Sequence, residues 1–180
     1  MRQVAVNVYN YFELDDKAKE KAYNDFCYSM EYPYHYENEK SLYAVADECN
    51  VSIQNWEYDT YSHRFNVFLE DEELDGMYGK ELRDYLINNF YDYMLGKKEV
   101  YGYYLDYEFF HEMAKALEDI EENHVITYRD VMYRCFHAMF EAINDDIQNF
   151  YSIGNFEEMT EMNEWEYTED GSLYWEPDWK

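Results

Sequence analysis

Alternating apolar and polar residues predict short strands at both ends of the chain and a hairpin between them. Residues 4–9, VAVNVY, place valine at every second position, which is the period of a half-buried strand. Residues 51–71, VSIQNWEYDTYSHRFNVFLED, predict two strands joined by a turn near residues 59–62. Near the end, WEYTEDGSLYW returns to strand-like alternation, and Asp170-Gly171 supplies residues that tolerate the positive φ angles of a tight hairpin turn.

Apolar residues spaced three and four apart predict helices over most of the remaining chain. In ELDDKAKEKAYNDFCYSM, Asp15 or Asp16 can cap the first turn, and Pro33 marks the end of the helix. A second helix is expected from about Glu39 to Cys49, and Thr127 is expected to cap the longest helix. The predicted apolar stripes are Leu14, Ala18, Ala22, Phe26 and Met30; Leu42, Val45, Ala46 and Cys49; Leu82, Tyr85, Leu86, Phe90, Tyr93 and Met94; Phe109, Phe110, Met113, Ala116, Leu117 and Ile120; and Met132, Phe136, Met139, Phe140, Ile143, Ile147 and Phe150.

These elements together predict an α+β fold, in which several amphipathic helices pack with a small antiparallel sheet and a C-terminal hairpin. A length of 180 residues suits a single compact domain, residues 1–180, or two lobes, 1–75 and 76–180, that share a core. Six glycines and two prolines leave no room for a flexible linker, and the sequence contains no internal repeat.

The charge of the chain changes this picture, because 41 Asp and Glu stand against 14 Lys and Arg, a net charge of −27 at neutral pH. Self-repulsion on this scale destabilises a compact state. Disorder is the usual outcome, but it requires few bulky apolar residues, and this chain is 47% hydrophobic and 21% aromatic. The composition therefore predicts a folded protein with a strongly acidic surface.

The negative charge exceeds what solubility requires, since a net charge of about 2–8 already serves a small domain. Duplex DNA presents about one negative charge per 1.7 Å of axis, and the proteins that bind it use basic channels. Carboxylates held on a rigid surface could occupy such a channel, because packed rings fix them in space before binding and reduce the ordering entropy that is lost. The sequence therefore suggests DNA mimicry.

The expected interface consists of acidic blocks and of rings left on the acidic face. Its candidate carboxylates are Glu70, Asp71, Glu72, Glu73, Asp75, Glu157, Glu158, Glu161, Glu164, Glu166, Glu169 and Asp170. Its candidate ring anchors are Tyr167, Tyr174, Trp175 and Trp179. The expected partner is a basic DNA-binding protein, and direct binding to nucleic acid is not expected.

Motifs for catalysis are missing from the sequence. There is no GxxxxGK[ST], GxGxxG, GxSxG or CxxC pattern. The five histidines are scattered, and His111-Glu112 lacks the second histidine that HExxH needs to bind zinc. Among 41 carboxylates, close pairs are expected by chance and indicate no particular reaction. The sequence predicts neither an enzyme nor a cofactor.

The best metal-binding candidate is EDEELDGMYGKEL. Asp71, Glu73 and Asp75 put oxygen ligands at alternate positions, and Gly76 stands at the sixth, as in a calcium loop. The twelfth position is Leu82 instead of the required glutamate, and the preceding residues predict a strand where an EF-hand has a helix. We interpret this stretch as a surface loop, with no metal site.

Two further features bear on the location of the protein. Cys27, Cys49 and Cys135 stand at long spacings within apolar helical patterns, which suits buried thiols better than disulfides. The opening MRQVAVNVYNY lacks the continuous apolar run of a signal peptide, and no segment approaches the about 18 apolar residues of a membrane span. We therefore expect an intracellular protein that does not enter a membrane.

Both ends of the chain carry a resemblance to small phage and mobile-element proteins. The opening VYNYFELDDKAKEKAYNDF resembles their recurrent start, a short strand followed by Glu-Leu, a capping residue and Ala-Lys-x-Lys-Ala. The closing NEWEYTEDGSLY is similar to their ending, an Asn-Glu-aromatic stretch followed by Thr-Glu-Asp-Gly. These stretches cover about a fifth of the chain. The matching positions are a helix cap and a turn, so the resemblance assigns no functional residue.

The resemblance implies an anti-defence role in the cytoplasm of a bacterial host. Strongly acidic inhibitors of CRISPR nucleases such as Cas9 are known in that setting, and Cas9 is accordingly the first expected target. A restriction enzyme or a DNA-packaging protein would be an alternative target for a DNA mimic. Another alternative is a phage assembly or regulatory protein that binds its partner through ordinary patches, with acidity as background. Halophilic adaptation is disfavoured, because the chain keeps a large aromatic core.

Overall fold

The protein has an α+β fold, as the sequence predicts. A computed structural model describes residues 5–69, 71–122 and 125–174. The elements in chain order are β1 (Tyr9–Asn10), a 3₁₀ turn (Tyr11–Glu13), α1 (Asp16–Ser29), α2 (His35–Glu48), β2 (Val51–Tyr58), β3 (His63–Leu69), α3 (Glu72–Asp75), α4 (Gly79–Met94), α5 (Tyr104–Glu122), α6 (Tyr128–Phe150), α7 (Ile153–Met162) and β4 (Glu166–Tyr167). The sequence did not predict α3 and α7.

The chain divides into two compact units. Met1–Tyr32 and Gln148–Lys180 form the terminal unit, and Pro33–Ile147 forms the central unit. The lobes suggested by the sequence, 1–75 and 76–180, have different boundaries from these units. Strand β1 pairs with β4 in the terminal unit, and β2 pairs with β3 in the central unit, both antiparallel.

The N-terminal strand is much shorter than predicted. Of the predicted residues 4–9, only Tyr9 belongs to β1, where it pairs with Tyr167 of β4. Residues 5–8 form no strand, Val6 is exposed, and Val4 lies outside the described residues. Strand β4 has two residues, so it offers backbone partners to two residues of β1 and to no more.

Helix α1 forms as predicted. It begins after Asp15, whose carboxylate accepts a hydrogen bond from Ala18 N at 2.8 Å, and it ends at Ser29. The buried members of its predicted stripe are Leu14, Ala18, Ala22 and Phe26. Met30 lies beyond the helix and is exposed, so the stripe ends where the helix does.

The β2–β3 hairpin of the central unit is confirmed. Its antiparallel register runs from the pair Val51 and Leu69 towards the turn. The turn is closed by Asp59, whose Oδ1 accepts hydrogen bonds from the N–H groups of Tyr61 at 2.7 Å and Ser62 at 2.8 Å. An aspartate that folds back on the backbone two and three residues ahead is a common way to close a turn.

The apolar stripes of the central helices form the core of this unit. Helix α2 begins at His35, earlier than predicted, and packs on β2, while α4 packs on α5. Tyr85, Met94 and Leu117 are only partly buried. The fully buried members of the stripes include Leu42, Val45, Leu82, Leu86, Phe109, Met113, Ala116, Met132, Phe136, Met139, Phe140 and Ile143.

The start of α6 is capped as predicted. Thr127 Oγ1 accepts a hydrogen bond from Asp130 N at 3.3 Å, and Asp130 Oδ2 accepts one from Thr127 N at 2.9 Å. The adjacent Tyr128 hydroxyl is buried and donates to Cys49 O at 2.7 Å. These bonds satisfy the first turn of the helix and connect it to the end of α2.

The cysteines are free thiols. Cys49 and Cys135 are buried, as predicted, whereas Cys27 is only partly buried. Burial raises the pKa of the Cys49 and Cys135 thiols well above the ordinary value. Both stay protonated near neutral pH and are unreactive, because the thiolate is the nucleophilic form.

A buried carboxylate, Asp106, organises the segment between α4 and α5. Its side chain is 4% exposed, and its Oδ1 accepts a hydrogen bond from the Ser41 hydroxyl of α2 at 2.9 Å. Its Oδ2 accepts hydrogen bonds from three successive backbone N–H groups, those of Val100, Tyr101 and Gly102, at 3.0, 2.7 and 2.9 Å. Four donors compensate for the water that the carboxylate loses on burial.

The substitution Asp106→Ala should lower the free energy of unfolding by about 3 kcal/mol or more, because each buried donor left without an acceptor costs about 1–3 kcal/mol. Ser41→Ala removes one donor and should cost about 1 kcal/mol. Urea denaturation followed by circular dichroism measures both. Asp47→Ala, at an exposed position of α2, serves as the control. Equal losses of unfolding free energy for Asp106→Ala and Asp47→Ala would show that Asp106 does not stabilise the fold through these four hydrogen bonds.

Candidate functional site

Helix α7 holds the first carboxylates of the C-terminal acidic block. It begins after Ser152, whose side chain caps the first turn, and it buries Phe156 and Thr160 on its inner side. Its remaining surface carries Glu157, Glu158 and Glu161, which fall within an arc of about 100°. This helix was not predicted from the sequence, although a capping serine followed by apolar residues at 153 and 156 is a signal for it.

Helix α7 ends in a Schellman motif with a glutamate where glycine is usual. Trp165 N–H donates to Thr160 O at 3.0 Å, and Glu164 N–H donates to Glu161 O at 3.2 Å. Glu164 has a φ of 51°, in the left-handed region. This conformation costs a residue with a Cβ about 1–2 kcal/mol. Such strain is often found at functional sites, and here it places a carboxylate between α7 and β4.

The C-terminal hairpin forms on the predicted residues, but only Gly171 takes a positive φ, of 85°. Gly171 N–H donates to Thr168 O at 2.9 Å. Asp170 acts through its side chain, which accepts hydrogen bonds from Thr168 Oγ1 at 2.7 Å and Ser172 N at 3.2 Å. These bonds, with Lys21 Nζ 3.7 Å away, lower the pKa of Asp170 to about 2. The main role of Asp170 is therefore to stabilise the turn, and not to contact a partner.

The hairpin sits directly on the backbone of α1. A Cβ at Gly171 would lie 2.1 Å from Ala18 O and 2.8 Å from Ala18 C. Beside it, Lys21 Nζ of α1 donates to Ser172 Oγ at 2.5 Å. Glycine is therefore required at position 171 for both its φ angle and its lack of a side chain.

A layer of packed rings supports α7 and the hairpin from below. The Tyr11 and Phe156 centroids are 5.0 Å apart with their planes at 86°, and the Phe26 and Phe156 centroids are also 5.0 Å apart. Trp165 joins this layer, 6.4 Å from Phe26. Each such pair adds about 0.5–1.5 kcal/mol beyond its burial of area. The acidic residues above therefore stand on a rigid base.

One of the predicted ring anchors is a core residue. Tyr167 is 2% exposed and lies 6.2 Å from Tyr11, so the prediction that it faces a partner is wrong. Pairing of β4 with β1 turns its ring inward, and burial raises the pKa of its hydroxyl. Tyr174 is half-buried. Trp175 and Trp179 lie outside the described residues.

The carboxylates of this region stand without cationic partners. Within the described part of the chain, no Lys, Arg or His lies in ion-pair range of six glutamates, which together form the C-terminal acidic surface: Glu157, Glu158, Glu161, Glu164, Glu166 and Glu169. Glu157 is half-buried, and the other five are exposed. The terminal unit therefore holds six of the predicted interface residues, and three of them, Glu161, Glu164 and Glu166, line one groove.

A groove of about 640 Å³ adjoins the C-terminal acidic surface. Phe12, which is half exposed, and Trp165 contribute rings to its wall. Its lining carboxylates are Glu13, Glu161, Glu164 and Glu166. Long cationic side chains lay their apolar stems on rings and direct their charged ends to carboxylates. The groove therefore suits an arginine or lysine of a partner.

The second predicted block has a structural role at two of its residues. Asp71 caps α3 by accepting a hydrogen bond from Glu73 N at 2.8 Å. Asp75 accepts two hydrogen bonds from Arg129, at 2.8 and 2.9 Å, and these lower its pKa. The interpretation of this stretch as a loop is wrong, because residues 72–75 form a helical turn. Arg129 neutralises part of the block.

The two predicted acidic blocks belong to different units. Glu72 and Glu73 are exposed in the central unit, and Glu70 lies outside the described residues. The C-terminal acidic surface belongs to the terminal unit. The more complete candidate is the C-terminal acidic surface, because its glutamates lack cationic neighbours among the described residues and three of them line a groove.

Comparisons with known proteins add no family to this description. No family model matches the chain, and no curated protein or solved structure is significantly similar to it. The resemblance of the chain ends to phage and mobile-element proteins therefore stays a prediction. Of the helices in the described residues, none is both long enough and apolar enough to cross a membrane.

Gly171→Ala should lower the free energy of unfolding by about 2 kcal/mol or more, because the new Cβ meets the backbone of Ala18 as well as an unfavourable φ. Gly96→Ala is the matched control, since Gly96 also has a positive φ but has nothing within 4 Å of an added Cβ. It should cost about 1 kcal/mol. Urea denaturation compares the two, and equal costs would refute the close packing of the hairpin on α1.

Glu164→Gly should raise the free energy of unfolding by about 0.5–1 kcal/mol, because glycine adopts the left-handed conformation without strain. The same substitution one turn earlier, Glu161→Gly, should instead lower it by about 1 kcal/mol, since position 161 is helical. Thermal unfolding of the two variants measures the difference. Destabilisation by both substitutions would show that position 164 is not strained.

Proposed function

We propose that this protein inhibits a DNA-binding nuclease by occupying its basic DNA-binding groove with the C-terminal acidic surface. The observation that carries the proposal is the set of six glutamates that have no cationic partner among the described residues and stand on packed rings. A basic groove gains affinity for DNA by releasing counterions. It would gain affinity for these carboxylates in the same way, and the protein itself need not perform any reaction.

The spacing of charge along α7 supports binding to a groove that holds a single DNA strand. The three glutamates of the helix lie between positions 157 and 161, about 6 Å of helix axis, so the mean spacing of their charges is about 3 Å. One strand of B-DNA carries about one charge per 3.4 Å. Over this short length the row is therefore about as dense as a single phosphate backbone. It fits a groove that holds one strand better than a channel that encloses a duplex.

The groove beside the C-terminal acidic surface would add specificity to this charge match. A cation over an aromatic ring gains about 0.5–1 kcal/mol at an exposed site and about 2 kcal/mol when desolvated. An arginine from the partner could contact Trp165 while pairing with Glu161 or Glu164, all of which line the groove. DNA-binding grooves are rich in arginine and lysine, so such a side chain is available in the partner proposed here.

A CRISPR nuclease such as Cas9 is the first target that we propose, in the cytoplasm of a bacterial host. Cas9 holds nucleic acid in a positively charged channel and contacts its backbone, which is the property that a surface of carboxylates can exploit. The choice among nucleases rests on the resemblance of the chain ends to mobile-element proteins. A restriction enzyme presents the same kind of basic groove and is the second target.

An interaction protein that does not mimic DNA is the competing proposal. Tyr28 is 96% exposed and Tyr61 is 88% exposed, and tyrosine is enriched among residues that dominate binding energy. If the partner is contacted through such rings, the negative charge of the protein does not contribute to binding. Tyr28→Ala or Tyr61→Ala would then weaken binding, whereas neutralising the glutamates would not.

Replacing four exposed glutamates of the C-terminal acidic surface, Glu158, Glu161, Glu164 and Glu166, by glutamine should weaken inhibition about tenfold or more at low salt. Each exposed ion pair contributes about 0.2–1 kcal/mol, and about 1.4 kcal/mol corresponds to tenfold in affinity. The measurement is displacement of fluorescent DNA from purified Cas9 and from a restriction enzyme. Inhibition by the unchanged protein should also fall steeply as salt is raised.

The control variant removes the same charge elsewhere, at the exposed residues Glu20, Glu31, Glu81 and Glu118, again as glutamine. It should retain inhibition. Equal weakening by both variants would assign the effect to overall charge and not to this surface. Binding that is unchanged by salt and by both variants would refute mimicry, and inhibition at far below one molecule per nuclease would indicate an enzyme.

A further inference from the structure

Two histidines that are distant in sequence meet in the central unit. His63 begins β3, and His137 lies on α6, one turn before Glu141. The His63 and His137 ring centroids are 4.8 Å apart, and His137 Nε2 is 4.0 Å from Glu141 Oε1. One ligand atom from each of these three residues lies within 4.8 Å of the other two.

The His63 ring is held in place from several sides. It stacks on Phe140, with centroids 5.5 Å apart and planes at 14°, and on Phe65 at 6.1 Å. The amide nitrogen of Asn144 is 3.0 Å from His63 Nδ1. Because Nδ1 is engaged, Nε2 is the ring nitrogen left to bind a ligand.

Asn144 provides a second, independent observation. Its side chain is 8% exposed, and its buried Oδ1 has no hydrogen-bond partner among the described residues. If the amide is turned by 180°, Oδ1 accepts a hydrogen bond from His63 Nδ1–H, and the lone pair of Nε2 becomes free. Histidines that bind metals are oriented in this way, by an acceptor at the nitrogen that does not bind the ion.

We propose that His63, His137 and Glu141 form a binding site for a divalent transition-metal ion of the zinc class. Two imidazoles and one carboxylate are the donor set of zinc sites that have three protein ligands and an open fourth position. Metal–ligand distances of about 2.0–2.2 Å place tetrahedral ligand atoms about 3.3 Å apart. The ligands must therefore approach by about 1.5 Å at most, and His137 and Glu141 are exposed and free to do so.

The surroundings favour a cation at this site. His137 and Glu141 line a groove of about 700 Å³ along α5 and α6, to which Glu108 and Asp145 also contribute carboxylates. A groove lined by one sign of charge concentrates the opposite ion. An ion bound by these residues would border the groove, where its open position is accessible to water or to a small anion.

The groove stays negatively charged although it also contains a cationic side chain. Arg134 also lines the groove, but it is paired with Glu112 at 2.8 Å and with Asp119 at 2.6 Å. The sequence predicted no metal site, because its ligands come together only on folding.

The test is titration of the full chain with Zn²⁺ by calorimetry in excess Mg²⁺. Magnesium occupies the carboxylate sites, which prefer hard ions, but it does not compete for imidazole. One equivalent of zinc should bind tightly. His137→Ala and Glu141→Gln, both at exposed positions, should each weaken binding about 100-fold or more, with unchanged circular dichroism and thermal unfolding in the absence of metal.

Matched controls exist on the neighbouring helix α5. His111→Ala and Glu118→Gln remove the same groups from exposed positions and should bind zinc like the unchanged protein. Weak binding of several equivalents of zinc, unaffected by His137→Ala and Glu141→Gln, would indicate non-specific binding to surface carboxylates. This result would overturn the proposal. The site is independent of the proposed inhibition, since none of its ligands belongs to the C-terminal acidic surface.

Discussion

Burial of aromatic rings beneath acidic helices is the interaction on which both units depend. A net charge of −27 opposes any compact state, and each buried large apolar side chain offsets this repulsion by about 1.5–3 kcal/mol. The rings form a core in each unit: Phe156 is 1% exposed in the terminal unit, and Phe140 is fully buried in the central unit. Because the rings are stiff and interlocked, they also hold in place the backbone of the elements that carry the carboxylates. The same packing that makes the acidic chain foldable therefore makes its charge usable for recognition.

The placement of the few cations divides the acidic surface into structural and bare regions. Among the described residues, eight lysines and arginines pair with carboxylates. Arg129 turns Asp75 into a structural residue, and the turn hydrogen bonds from Thr168 and Ser172, with Lys21 nearby, do the same for Asp170. The C-terminal acidic surface receives no such partner in the described part of the chain, and it includes Glu164 at a strained position. A region that keeps both repulsion and strain is where a binding function is best sought.

Local patterns were a sound guide wherever one helix or one turn decides the outcome. Thr127 caps α6 and Asp15 caps α1 because capping depends on three or four neighbouring residues. The prediction failed where a distant partner was needed. The strand expected at residues 4–9 is short because β4 offers only two backbone partners. The same pairing directs the side chain of Tyr167 into the core. Helix α7 was missed because its acidic outer residues obscure a short apolar stripe behind the Ser152 cap.

The sequence by itself determined the fold class, the apolar stripes and the excess of negative charge, since each of these follows from composition and from spacing along one element. Only the tertiary structure decided which carboxylates are neutralised, which rings are buried and which ligands meet. His63 and His137 come together because β3 packs beside α6, and Gly171 is indispensable because the hairpin lies against Ala18. Such contacts join residues far apart in the chain. They depend on how whole elements pack, and no local spacing records that.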